Sequence, residues 1–486
     1  MCYNQFRNYS MRYERIRTMP ENEYGPRTQR YNRRRKTALT LTFISAVLFA
    51  LAIAFVIVFA IQNVPTTEPS DVVSTNTDSA ITTDTEPEKD PPITAESTAT
   101  ISIVGDVLPH LSILTAAKDN ETESHVFDPF FAYVSPYITK ADYAVANLET
   151  TLGGTENGKS YTGYPRFNSP DSIATALKNA GFDMAMTANN HCYDTNLAGL
   201  KRTLTVLTEN NLDTLGTVLD KTEEKYVVKE INGIKIGMIS YTYETSDSYP
   251  DRPSINGIFT SEESVGHINS FDYKQLDKFY AEMETHLANM KKDGAEATIL
   301  YIHWGNEYQL SASSSQKTIA QKMCDLGLDV IVGGHPHVIQ PMDLLESTVD
   351  EDHKTVCIYS TGNFLSNQRR NLMDLKTGNT EDGIIFTVSF TKYSNGVVAL
   401  EETDVIPTWI NLHKVDGKNV YDILPLDQTV EDWKTAFKLT DTYLKNANES
   451  YERTMSLVGD GLTETKEYLS QAKTARLEEF ERLNNQ

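Results

Sequence analysis

Two histidines flank a proline in the run Gly333-Gly334-His335-Pro336-His337, directly after the apolar stretch Leu328-Asp329-Val330-Ile331-Val332. Glycine lets a backbone turn sharply and approach a ligand closely. Neutral imidazole is the commonest protein ligand for first-row metals. This loop therefore has the residue types to feed one cation or two adjacent ones. Four more loops carry ligand chemistry: Gly105-Asp106, Asn147-Leu148-Glu149, Asn189-Asn190-His191 and His303-Trp304-Gly305-Asn306-Glu307. Taken singly, each has a plain explanation. Asp106 would be a turn residue or cap, Asn147 a turn former, His303 a core histidine. Taken together, four of the ten histidines fall at strand ends beside carboxylates and asparagines. That mixture suits Mn, Fe or Zn better than Ca or Mg. A carboxylate can bridge two cations, and a pair about 3.5–4 Å apart can activate water for in-line attack on phosphorus.

Other side chains are weighed against the same chemistry. Arg166, in Tyr164-Pro165-Arg166-Phe167, could grip a carboxylate or phosphate bidentately or serve only a surface ion pair. Arg369 and Arg370 read as solvated charges near a further strand end, Ser360-Thr361-Gly362-Asn363-Phe364. Trp304 and Tyr308 suit a substrate wall or packing equally. Cys192 follows His191 and could be mistaken for a nucleophile, but no nearby base has the right geometry for it and it reads as inert.

The elements that position these residues alternate. A strand pattern over 98–104 ends in Gly105-Asp106. Ser169-Pro170-Asp171 opens a helix that Gly181 stops. The next strand, 182–187, delivers Asn189-Asn190-His191. A helix over 316–325, a stop at Gly327 and a strand leading to His335 repeat that plan. Residues 231–243 read as a hairpin arm turning at Asn232-Gly233. The expected class is α/β, with ligands gathered at the C-terminal ends of strands.

Outside this region the chain changes character. Residues 1–36 hold ten Arg or Lys against three Glu, a balance of +7, so residues 37–486 carry −30 against a whole-chain total of −23. An acidic body argues against nucleic acid as a partner and repels anionic polymers unless cations bridge them. Residues 38–61 are apolar apart from Thr and Ser and follow Arg33-Arg34-Arg35-Lys36. About 20 such residues cross a bilayer, and the basic flank places the N-terminus in the cytoplasm. The expected order is a basic cytoplasmic tail (1–36), a transmembrane helix (37–62), a Thr/Ser/Pro/Glu-rich linker (63–97), a globular domain (98–425) and a solvated helical appendage (426–486). Three external cysteines, Cys192, Cys324 and Cys357, make no disulfide framework. Together these features suggest a single-pass protein of a Gram-positive cell surface.

The ordered set Gly105-Asp106, Asn147-Leu148-Glu149-Thr150, Ala188-Asn189-Asn190-His191…Asp194, His303-Trp304-Gly305…Glu307-Tyr308, Gly334-His335-Pro336-His337 and Gly362-Asn363-Phe364 resembles the bacterial capsule-synthesis CapA family over about residues 98–410. The resemblance implies a part in poly-γ-glutamate capsule synthesis, export or retention. It also implies a fold similar to the calcineurin-like metallophosphoesterases, two packed sheets flanked by helices. Its implied roles place one divalent metal on Asp106, Glu149 and His337. A second falls to Glu149, Asn190, His303 and His335, with Glu149 bridging and His191 as general acid. Glu307 and Asn363 join Arg166 as candidate substrate contacts. The expected partners are an anionic polymer or phosphoester substrate and membrane-embedded biosynthetic subunits. A metal-dependent phosphoester hydrolase, or a non-catalytic binder with a degenerate site, is the alternative. The chain departs from the metallophosphoesterase pattern after Asp106, where Val107-Leu108 replaces the usual x-His. His110 is a candidate substitute, and an exposed surface histidine is the plainer reading.

Overall fold

The computed structural model describes residues 92–119, 121–245 and 252–485. The expected tail and membrane span lie outside the described residues, as does the linker up to residue 91. Among the described residues, no helix is long and apolar enough to cross a membrane.

Strand β1 (Ala95–Val107) shows how the layers arise. Ala99, Ile101 and Ile103 alternate onto one face, and Val104 points to the other. With both faces apolar, the strand must be covered twice. Its sheet runs β17 (Lys418–Pro425), β16 (Val398–Val415), β15 (Asp382–Tyr393), β1, β2 (Tyr143–Leu148), β3 (Met184–Met186) and β4 (Asp213–Leu215). The short β14 (Asn363–Leu365) pairs with the end of β1. The second sheet runs β12 (Ile339–Glu346), β13 (Lys354–Thr361), β11 (Val330–Gly334), β10 (Ala297–His303), β6 (Ile234–Tyr243) and β5 (Tyr226–Ile231), with β9 (Ser270–Phe271) beside β6. A small hairpin, β7 (Ser254–Ile255) and β8 (Ile258–Phe259), stands apart from both.

Between the sheets, Ile101, Ile103 and Met184 meet Ile236, Met238, Val330 and Val332. Outside the first sheet pack α1 (Leu111–Ala117), α2 (Ser135–Ile138), α3 (Ser172–Ala180) and α4 (Asn196–Glu209). Outside the second pack α5 (Leu276–Lys292) and α6 (Ser314–Asp325). The order is helix, sheet, sheet, helix. Within it, β1 to β4 are parallel neighbours, as are β6, β10, β11 and β13. Parallel pairing needs a crossover, so the C-terminal ends of these strands open on one edge.

Local signals are visible in the elements. Gly181 ends α3 in the left-handed region, φ 104°. Ser313 and Gln316 form a capping box at the start of α6. Asn232 and Gly233, both at positive φ, turn β5 into β6.

The C-terminal segment departs from expectation. Two helices follow Pro425, α7 (Val430–Ala436) and α8 (Asp441–Asn484). It is not a solvated appendage. Ala447, Ser450, Thr454, Val458, Leu462, Thr465 and Leu469 recur every three or four residues and are buried. The helix packs on β16 of one sheet and β12 of the other. Burial of Val458 or Leu469 contributes about 1.5–3 kcal/mol each. Gly461 lies within this helix, and a Cβ there would collide with the backbone oxygen of Met342 in β12. The glycine is there to let helix and strand backbones touch.

Candidate metal centre

The two sheets bring their strand ends to one buried cluster. From the first come Asp106 near the end of β1, Glu149 after β2, and Asn190 and His191 after β3. From the second come His303 at the end of β10, and His335 and His337 after β11. All seven are buried. Two groups could hold a cation: Glu149 with His303 and His335, and Asp106 with Glu149 and His337. Within each, the ligand atoms lie within 4.8 Å of one another. Glu149 belongs to both.

Glu149 lies at the centre. Its Oε1 is 3.5 Å from His303 Nε2, 3.7 Å from His337 Nε2 and 4.0 Å from His191 Nε2. Among the described residues, neither carboxylate oxygen has a hydrogen-bond partner. Burial, then the charges of Asp106 and Glu307, pushes its carboxyl well above the usual range. A buried carboxylate left alone costs several kcal/mol. Burial likewise holds His303 down to about 3 and His335 well below its ordinary value. These imidazoles are therefore neutral and have lone pairs to offer. Among the described residues, His335 Nδ1 also lacks a partner. A divalent cation reverses the local preference for neutral groups. The residues present thus fit a metal.

A second layer aims the first. Asp106 Oδ2 lies 3.0 Å from His337 Nδ1, and its Oδ1 accepts from Asn147 Nδ2 at 2.8 Å. Burial alone would raise the Asp106 carboxyl, but His337, with His303 and Asn147, outweighs it and holds the carboxyl below its ordinary value. Asn147 Oδ1 accepts from Asn189, whose own Oδ1 accepts the His191 backbone N–H at 3.1 Å. Asn190 Oδ1 is 2.9 Å from His303 Nε2. His335 and His337 both have positive φ, 96° and 56°. Such backbone costs on the order of 1–3 kcal/mol and persists where the surroundings impose it. Gly334 is required just before them: a Cβ there would stand 2.7 Å from the Tyr301 hydroxyl and 3.2 Å from Asp106 Oδ1.

His191 has its own support. Its Nδ1 is 2.7 Å from Asp194 Oδ2, and Asn256 donates to the other Asp194 oxygen at 3.0 Å. The Phe167 ring stands edge-on to the imidazole at 4.6 Å. The Asp194 pairing is written in the sequence as a carboxylate three residues after the histidine. Asn256 gave no signal, because it arrives on the β7–β8 hairpin from a remote stretch.

The remaining candidates fall in different places. Glu307 is exposed, and its charge reaches Glu149 and His337. Arg166 is exposed and, among the described residues, makes no ion pair. Asn363 is buried, and its amide is committed to His337, Gln368 and Thr380. It orients a histidine and is not open to substrate. His110 is not an exposed surface histidine. Its Nδ1 lies 3.0 Å from the Leu108 carbonyl oxygen, its ring meets Phe167, and burial lowers it to about 4. It joins neither ligand group. Arg369 is buried and Arg370 half-buried rather than free in solvent, and both pair with buried Glu381 at 3.3 Å. Trp304 is core and donates to the Tyr359 carbonyl. Burial raises the Cys192 thiol to about 12, which leaves it inert.

The same segment matches known proteins. Residues 100–368 match the family described as bacterial capsule synthesis protein PGA_cap. The chain is 26% identical over 269 residues to the PGA biosynthesis protein CapA of Bacillus subtilis (strain 168), covering 55% of this chain and 63% of that protein. It is 28% identical over 275 residues to the capsule biosynthesis protein CapA of Bacillus anthracis, covering 55% and 60%. The chain thus spans less than two thirds of the length of these curated relatives. A crystal structure of TT1561 of Thermus thermophilus covers 60% of this chain and 94% of its own at 10% identity, with a TM-score of 0.31 that is too low to bear on the fold. Every side chain of both cation-binding groups lies inside the matched segment, and this chain belongs to the bacterial capsule synthesis PGA_cap family.

Proposed function

We propose that this chain acts in the synthesis, export or retention of a poly-γ-glutamate capsule, as a membrane-anchored extracellular protein with a two-cation hydrolytic site. The observation that carries the site is Glu149, fully buried, without a hydrogen-bond partner for either oxygen among the described residues, and shared by two ligand groups. The names of the two Bacillus relatives support the capsule role. The apolar run 38–61 supports the anchor.

In this reading Asp106, Glu149 and His337 would hold one cation, and Glu149, Asn190, His303 and His335 would hold the other. Bound cations would supply the positive charge that an anionic substrate and its developing oxyanion need. The protein's own residues do the rest. Asp194 fixes His191 through Nδ1, which leaves Nε2 facing Glu149 to give its proton to a leaving oxygen. Phe167 keeps water from one side of that ring. Arg166 and Glu307 stand exposed and would meet substrate. The reaction class is hydrolysis of a phosphoester or another envelope ester or amide. The His191–Asp194 pair favours catalysis over a purely binding role, since a binder has no use for an oriented proton donor.

Protein loaded with Mn²⁺ and assayed on generic phosphodiesters and monoesters tests the chemistry. His191→Ala should lower turnover by about 10²-fold or more while metal content stays at the wild-type level. Loss of metal on that change would remove the proton-donor role, and a metal-loaded protein without turnover would leave the binding reading. Deleting the gene and finding surface γ-glutamyl polymer unchanged would reject the capsule role.

A further inference from the structure

We propose that the C-terminal helix α8 holds the His337 ligand in place, with Arg453 as the positioning residue acting through Asp382 and Asn363. The inference rests on the reading of His337 as a ligand. It concerns residues beyond the segment that matches the family, which ends at 368.

The path is a chain of short contacts. One buried amide holds His337 twice: Asn363 Oδ1 lies 3.1 Å from the ring Nδ1, and Asn363 Nδ2 donates to the His337 carbonyl at 3.2 Å. The same Nδ2 is anchored on the Thr380 carbonyl at 2.9 Å. Thr380 sits in the single turn Asn379–Glu381, immediately before Asp382. Asp382 is buried, and three hydrogen bonds from α8 satisfy its carboxylate. Ser450 Oγ donates at 2.6 Å, and Arg453 donates through Nε and Nη2 at 2.7 Å each. A bidentate arginine fixes direction as well as charge. Removing it leaves a buried carboxylate without its counter-charge, a strongly unfavourable state. The 380–382 turn therefore stays where the helix docks, and the amide that aims His337 stays with it.

A purely structural staple is the rival explanation, and the molecule contains the control for it. Farther along α8, Arg476 pairs with Glu401 of β16 at 2.6 Å. Glu401 lies eight residues before Trp409, the strand partner of Asp382, which is about 25 Å along the strand. That pair docks the same helix without touching the turn.

Mn²⁺ titration of the full chain, with thermal unfolding alongside, decides between them. Arg453→Met should weaken Mn²⁺ binding about tenfold or more, as loss of a residue supporting a ligand does, and Arg453→Lys should recover part of it. Arg476→Met should lower the melting temperature yet leave Mn²⁺ affinity unchanged. Because Arg453→Met strands the Asp382 charge, the charge-free double variant Asp382→Asn/Arg453→Met runs in parallel and should show the same loss. Wild-type affinity in the double variant, or an equal loss in Arg476→Met, would overturn the proposal. Absence of Mn²⁺ binding by the native chain would instead overturn the metal-site reading, and this inference with it.

Discussion

At the scale of single residues, Glu149 sets the chemistry. Burial and the Asp106 charge keep it protonated well above the usual carboxylate range, whereas a cation binds only the ionised form. Metal binding must therefore expel that proton. Affinity should therefore rise with pH. Calorimetry in two buffers of different ionisation enthalpy would read the released proton, and identical heats would contradict it. His303 adds no competing proton above about 3, because burial keeps it neutral to that point. Most of this cluster was legible from residue type at strand ends: Asp106, Glu149, Asn190, His303, His335 and His337 all meet. Asn363 was legible as a site residue but not in its role, since only the fold shows its amide spent on His337 and Thr380. Asn256 was illegible, because a polar hairpin tip carries no mark of what it will touch.

At the scale of elements, each ligand is held by the end of a parallel strand, and the helix that follows or precedes returns the chain to the same edge. Periodicity exposed these units because strand and helix faces must both be apolar to pack. The long helix α8 was harder to read. Its buried stripe contains Ser450, Thr454 and Thr465, which do not look like core residues, and its middle contains two glycines. Gly461 is explained by its contact with the Met342 backbone. Gly461→Ala should force helix and strand apart and lower stability by about 1–3 kcal/mol, measured by denaturant unfolding. An unchanged midpoint would show that α8 does not bear on β12 as described.

At the scale of the whole molecule, the folded unit is larger than the family segment. Strands β15, β16 and β17 begin at Asp382, after the matched residues end, yet β15 pairs along nearly all of β1. The first sheet is incomplete without them, and α8 then ties it to the second. The acidic balance of residues 37–486, −30, would repel an anionic polymer unless cations bridged the two. The apolar run 38–61 was the clearest whole-chain signal in the sequence, and it lies outside the described residues. The central claim is that Glu149 joins two cations. Anomalous diffraction from crystals grown with Mn²⁺ tests it most directly. The account predicts two peaks that share Glu149, one reaching Asp106 and His337 and the other His303 and His335. A map with no peak at Glu149 would contradict it.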